Sequence, residues 1–260
     1  TESLNFLLIS VFCWLLTTNS KNRIYYVLLA LVLATVTKPI YLGHIVLLTV
    51  YILIRDKNTP RLKQAGKIAL TLIPIWIQLI LSFVVTGKAT VSGIGSFTFK
   101  NYLVADVYMQ LEGTEWRETT KLIDDWTWQD QLTFLWENKR ETALTYRRHV
   151  IDNNLWTGSF FTLGEGNRTR GFVIAFNAIA IYLHLLMAPL VFYYFFSSRY
   201  NSNKEVVGIL YVSMVVQFLT SGISTGQEDR LLITALPLWI ITYIVVLAGM
   251  QTQQAEPATQ

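Results

Sequence analysis

Charge is scarce in this chain. Only 15% of its 260 residues are Asp, Glu, Lys or Arg, where a soluble domain carries about 25%. The shortage excludes an ordinary water-soluble globule, because the 52% of hydrophobic residues stand in long blocks and the mean hydropathy is +0.39. Cysteine is nearly absent. Cys13 stands alone, so no disulfide forms within the chain and redox compartment is not readable. The three histidines, His44, His149 and His184, are far apart and give no metal-ligand spacing. No Ser-His-Asp arrangement, Walker loop, H-E-x-x-H or internal repeat is present, and low complexity is confined to the tail. No basic n-region precedes the apolar run Leu4 to Leu16, and no small-residue cleavage site follows it. A chain opening without Met at the edge of such a run is expected to continue a longer protein.

What is present is a series of apolar segments. They run from Leu4 to Thr18, Ile24 to Thr37, Ile40 to Ile54, Ile68 to Val85, Phe172 to Phe196, Val206 to Ile223 and Leu231 to Ala248. The second and third are one run broken by a single charge, Lys38, followed by Pro39. Read as one helix, that run is roughly 45 Å long against a hydrocarbon core of about 30 Å. Read as two, each arm is short and calls for thinning or a turn in the interface.

Charge placement favours two. The links holding Lys21, Arg23, Arg55, Lys57, Arg61, Lys63, Lys67, Arg199 and Lys204 then share one face, and the opposite short links hold only Lys38 and Arg230. The positive-inside rule puts the basic links in the cytoplasm. The net charge of +4 therefore follows membrane topology and does not indicate nucleic acid. The expected fold is all-α: a polytopic transmembrane helical protein of about seven spans, with an exterior region of amphipathic surface helices. Residues 1–86 are N-terminal transmembrane helices with the Lys38-Pro39 hairpin, and 87–170 are exterior. Residues 171–250 are C-terminal transmembrane helices, and 251–260 are a disordered cytoplasmic tail.

The exterior region holds five of the eight tryptophans, Trp116, Trp126, Trp128, Trp136 and Trp156. Leu122, Trp126, Leu132 and Trp136 fall near helical spacing. Two readings stand side by side: surface helices with indoles at headgroup depth, or a small subdomain with tryptophan in its core. Gly93 and Gly95 form a G-x-G without strand-to-helix context, read as a connector. Asn167-Arg168-Thr169 is a glycosylation sequon.

Four polar clusters converge on the exterior face. They are Thr1-Glu2-Ser3; Thr37-Lys38-Pro39 with Tyr41 and His44; Asp106, Glu112, Arg147, Arg148 and His149; and Gly226 to Arg230, which includes Glu228 and Asp229. Acidic and basic groups at one interface suit an anionic, lipid-linked substrate. Each has a plainer reading. Lys38 is then a snorkelling lysine, Arg230 a local ion pair with its acidic neighbours, Glu2 a solvated helix cap, and His44 and His184 buried hydrogen-bonded groups.

Three stretches carry a family resemblance. Thr1-Glu2-Ser3-Leu4-Asn5-Phe6, the Leu29 to Pro39 hairpin and Glu228 to Pro237 resemble, in order and face, the C-terminal half of the GT-C membrane glycosyltransferases. The nearest group is that of the protein O-mannosyltransferases and lipid A aminoarabinose transferases. The chain departs from the pattern with Arg230-Leu231-Leu232 in place of Arg-Tyr-Leu, and with no glycine in Leu33-Ala34-Thr35-Val36. The resemblance implies transfer of a sugar from a polyprenyl-phosphate carrier to an acceptor protein or glycolipid on the non-cytoplasmic face. An exterior carboxylate acts as base, sometimes with a divalent cation. Lys38 and Arg230 match the basic residues that hold the donor phosphate, Glu2 matches the acidic residue near the cavity, and Tyr41, His44 and Glu228 are candidate cavity-lining residues. The family's principal catalytic aspartate, in the first exterior loop, has no counterpart here, so these residues alone are expected to be inactive. That gap keeps a second reading open: a non-catalytic membrane subunit, or a component of a lipid-linked polysaccharide polymerase or flippase. The short exterior region and single sequon favour a bacterial plasma membrane over the endoplasmic reticulum.

Overall fold

A computed structural model describes residues 2–18, 20, 22–55, 59–91, 97–155, 168–197, 203–223 and 229–254. Within them the chain is all-helical, with no strands. In order the helices are α1 (Glu2–Thr17), α2 (Arg23–Thr37), α3 (Leu42–Arg55), α4 (Arg61–Thr71), α5 (Ile73–Thr86), α6 (Ala105–Glu112), α7 (Trp116–Leu122), α8 (Trp128–Glu137), α9 (Lys139–Leu155), α10 (Arg168–Phe196), α11 (Lys204–Thr220) and α12 (Asp229–Gln254). Short 3-10 turns, Pro39–Tyr41 and Ser221–Ile223, precede α3 and follow α11, and a π-helical stretch, Phe99–Val104, runs into α6. The last helix extends four residues past Met250, into the tail expected to be disordered.

Among the described residues one helical segment, Lys204–Ile223, is long and apolar enough to cross a membrane by itself. The pair α4 and α5 passes the same test only if counted together, and it is bent by 54°. The apolar stretches Ser3–Thr17, Arg23–Thr37, Pro39–Arg55, Leu185–Phe196 and Leu236–Gln251 are shorter helices.

The chain divides into two compact units. The first comprises Thr1–Val91, Phe176–Gln217 and Leu232–Gln260; the second comprises Ser92–Ala175 and Phe218–Leu231. In the first, α2 is the central element, with Ile24, Tyr25, Val27, Leu28, Ala30, Leu31, Val32, Ala34 and Thr35 buried. That list covers more than one face, as expected for a helix surrounded by others. Its neighbour α1 buries one stripe, Asn5, Ile9, Phe12, Cys13 and Leu16, at helical spacing. Leu210, Met214, Leu238 and Trp239 complete the same core.

Proline and glycine set the helix ends. Lys38 precedes Pro39 and is extended (φ −147°, ψ 103°), because a residue before proline is pushed out of the helical region. Pro74, near the start of α5, brings no N–H and crowds the preceding turn, so the expected single span over 68–85 is two helices meeting at Leu72. Gly87 (φ 71°) and Gly113 (φ 67°) close α5 and α6 in the left-handed conformation. At the end of α3, the buried Gln64 Nε2 donates to Ile52 O at 2.7 Å, satisfying a carbonyl the helix leaves open.

The second unit has its own core of Leu103, Val104, Ala105, Val107, Ile123 and Leu135. Of the four residues at helical spacing, Trp126 packs against this core and the other three do not. Ile123 and Leu135 are buried, while Leu122, Leu132 and Trp136 are exposed. The break at 123–127 is closed by a capping box between Thr127 and Asp130, which starts α8. Trp126 sits in an aromatic cluster, 5.9 Å from Tyr108 and 5.1 Å from Phe134 between ring centroids, whereas Trp116, Trp128 and Trp136 are exposed. Tryptophan thus serves both as core and as surface, and Trp156, the G-x-G and Asn167 lie outside the described residues.

Candidate functional site

The break between α2 and α3 gathers polar groups in an apolar setting. Thr37, the last residue of α2, donates to Asn5 Oδ1 of α1 at 2.9 Å or back to Ala34 O at 2.8 Å. The second polar cluster of the sequence is thereby tied to α1 through Asn5. Lys38 N–H closes α2 on Ala34 O at 2.8 Å, and its ammonium nitrogen Nζ is buried. A snorkelling lysine extends its head to water; this one is turned inward. Tyr41 is fully buried, and its ring meets His44 edge-on at 5.4 Å.

His44, 3% exposed, points Nε2 at Ser213 O, 2.7 Å away. A carbonyl only accepts, so the proton is on Nε2 and Nδ1 is left as a buried acceptor with no hydrogen-bond partner among the described residues. His44 lines a largely apolar cavity of about 420 Å³ that also touches Leu48, Tyr51, Glu205 and Gly208. Tyr41 is not among its lining residues. Of the remaining candidates, Glu228 lies outside the described residues. Glu2 and Arg230 are placed as backbone in α1 and α12 only, as is His184 in α10.

The second unit brings together three members of the third cluster. Asp106 Oδ2 lies 2.6 Å from His149 Nε2 and 2.9 Å from an Arg148 nitrogen. His149 Nδ1 faces Gly222 O at 3.2 Å. Both ring nitrogens face acceptors. Burial acts to raise the Asp106 pKa, but the His149 hydrogen bond and the charges of His149 and Arg148 outweigh it and hold the carboxyl below its ordinary value. Tyr146, His149 and Asn153 share one face of α9 and reach Leu219 O, Gly222 O and Ser221 O respectively. They supply donors to carbonyls at the end of α11 that have no further helix to pair with. Gly222 is required there, since a Cβ would stand 2.6 Å from Tyr146 and Val150. Glu112 and Arg147 are exposed and take no part in this set.

A third group was not singled out by the sequence. Glu205, at the start of α11, receives Arg23 at 2.9 Å and Arg55 at 2.8 Å on Oε2, and the Tyr51 hydroxyl at 2.9 Å on Oε1. Its one legible signal is that it is the sole glutamate within the basic links.

Among the described residues no group of three or more His, Cys, Asp or Glu side chains could hold a metal ion. They supply no ligand set for the divalent cation that the resemblance implies. Comparison with protein-family models, with curated proteins and with solved structures gives no match.

Proposed function

We propose that this chain is part of a membrane glycosyltransferase that moves a sugar from a polyprenyl-phosphate carrier to an acceptor protein or glycolipid on the non-cytoplasmic face. It crosses the bilayer about seven times, in a bacterial plasma membrane. The observation carrying this reading is the buried Lys38 ammonium at an interruption between two apolar helices. An ionisable group turned into a helical bundle is expensive to hold and marks a ligand path. Non-helical backbone at that depth is tolerated where protein or a cavity surrounds it. In this reading Lys38 neutralises the carrier phosphate and stabilises the charge left on it as the sugar departs. The resemblance gives Arg230 a phosphate-holding role as well, and gives Glu2 that of the acidic group near the cavity. The bilayer reading is supported by α3 and α5, where Leu42, Val46, Leu47, Val50, Trp76, Ile80, Phe83 and Val84 are all exposed, a surface that water does not favour.

The test is sugar transfer from the lipid-linked donor by the full-length protein carrying Lys38→Ala. At subsaturating donor, loss of a charge-assisted contact to phosphate lowers transfer by about tenfold to a hundredfold, and Lys38→Arg restores most of it. Unchanged transfer in Lys38→Ala removes the phosphate role. Donor binding without any transfer by the full-length protein favours instead the non-catalytic subunit or polymerase and flippase component.

A further inference from the structure

The first unit holds a second, polar cavity, at the opposite end of α2 and α3 from Lys38. It measures about 260 Å³, close to nine water volumes. Its polar wall is Asn22, Arg55, Thr59 and Lys67, and its floor is Tyr25 and Ile52. The two cations of that wall are held in place. Lys67 Nζ donates to Asn22 Oδ1 at 3.0 Å and stands 4.8 Å above the Tyr25 ring. Arg55 is fixed on Glu205 at 2.8 Å.

The charges do not balance. Arg23 and Arg55 share the single carboxylate of Glu205, which leaves one positive charge over. Lys67 adds another, since its polar contacts, Asn22 and the Tyr25 ring, are neutral. The described side chains around this cavity therefore carry a net charge of +2, on groups of the two types that bind phosphate: a guanidinium fork and an ammonium point charge.

We infer that this cavity binds a phosphate group, the phosphodiester of an anionic phospholipid headgroup, through Lys67 and Arg55, with Asn22 and Thr59 as neutral partners. The site is separate from Lys38 and does not rest on sugar transfer. Its position among the links richest in Lys and Arg is where a membrane's anionic leaflet would meet the chain.

The experiment uses the full chain in nanodiscs of phosphatidylcholine, with and without phosphatidylglycerol, and a third arm in detergent with inorganic phosphate. Thermal melting is read in all arms, and lipid retained by the purified protein is counted by native mass spectrometry. Phosphatidylglycerol is expected to raise the melting temperature and to be retained. Lys67→Gln weakens its binding about fivefold, the effect of one basic residue at a charged surface; Lys67→Arg restores it, and Lys88→Gln leaves it unchanged. Lys67→Met keeps the apolar stem over Tyr25 and gives the same reading should Lys67→Gln fail to fold. An equal shift with inorganic phosphate, lost in the same variants, supports the site with free phosphate as its source. Equal melting with and without phosphatidylglycerol and no response to phosphate overturns the proposal. So does an equal loss in Lys88→Gln and Lys67→Gln.

Discussion

Asp106 Oδ2 receives two donors at once, from a histidine that is 1% exposed and from an arginine that is half exposed. Its partner His149 in turn holds Gly222 O, so one carboxylate fixes the ring that fixes the end of α11. Asp106→Asn removes the charge that both donors need and is expected to lower stability by about 2 kcal/mol, read by thermal or denaturant unfolding. The pH dependence has a definite sign. A carboxyl whose pKa is depressed by folding contributes stability that is complete above the unfolded value, about 3.9, and fades as pH falls below it. Wild type should therefore lose stability on acidification through that range more steeply than Asp106→Asn. Parallel acid profiles would mean that the His149 and Arg148 contacts are not what stabilises the charge. The sequence did place Asp106, Arg148 and His149 in one charged cluster, but nothing local pairs residues some forty positions apart. Glu205 was missed for the same reason: beside Lys204 in a polar link it reads as solvated, and only folding brings Arg23 and Arg55 to it.

Helix ends were legible where chemistry is local. Pro39 after Lys38 announces a stop, and the helices on either side begin and end within two residues of the apolar arms read from the sequence. The fourth apolar segment shows the limit of that reading. Hydropathy over 68–85 is continuous, so it suggests one straight span, yet α4 starts at Arg61 inside the basic link and α5 departs at 54°. Apolarity says nothing about Pro74, whose missing N–H and ring forbid a regular turn across residues 70–74. The exterior helices left two readings open, and each keeps a part: across the capped break between α7 and α8, Leu122, Leu132 and Trp136 are exposed while Trp126 packs on the core. Pro74→Ala is expected to straighten the pair. Spin labels at positions 65 and 80 then move apart toward roughly 22 Å, the rise of fifteen helical residues. A distance distribution unchanged from wild type would show that packing against α2, and not the proline, sets the bend.

At the scale of the molecule the question is which solvent the exposed side chains meet. The first unit turns Trp14, Val46, Leu47, Ile77, Ile80, Leu81 and Val84 outward, more apolar surface than a soluble chain leaves bare. Short apolar helices follow one another there, and among the described residues the segment Lys204–Ile223, most of which belongs to this unit, reaches spanning length on its own. The second unit, by contrast, has a small core and carries charged residues such as Glu115, Arg117, Lys121, Glu137 and Arg140 on its surface. Composition made this contrast visible, because apolar and polar stretches occupy separate parts of the chain, but composition does not fix sidedness. The sidedness proposed from charge counting makes a prediction with one outcome on each side. The only native cysteine, Cys13, is fully buried, so the wild-type chain is expected to resist an impermeant thiol reagent in intact cells. Lys121→Cys places a thiol at an exposed position of α7. If residues 87–170 are exterior, it labels in intact cells as completely as after lysis. Labelling that requires lysis would reverse the orientation, put the Lys38 break on the cytoplasmic side, and remove it from the face proposed for the sugar donor.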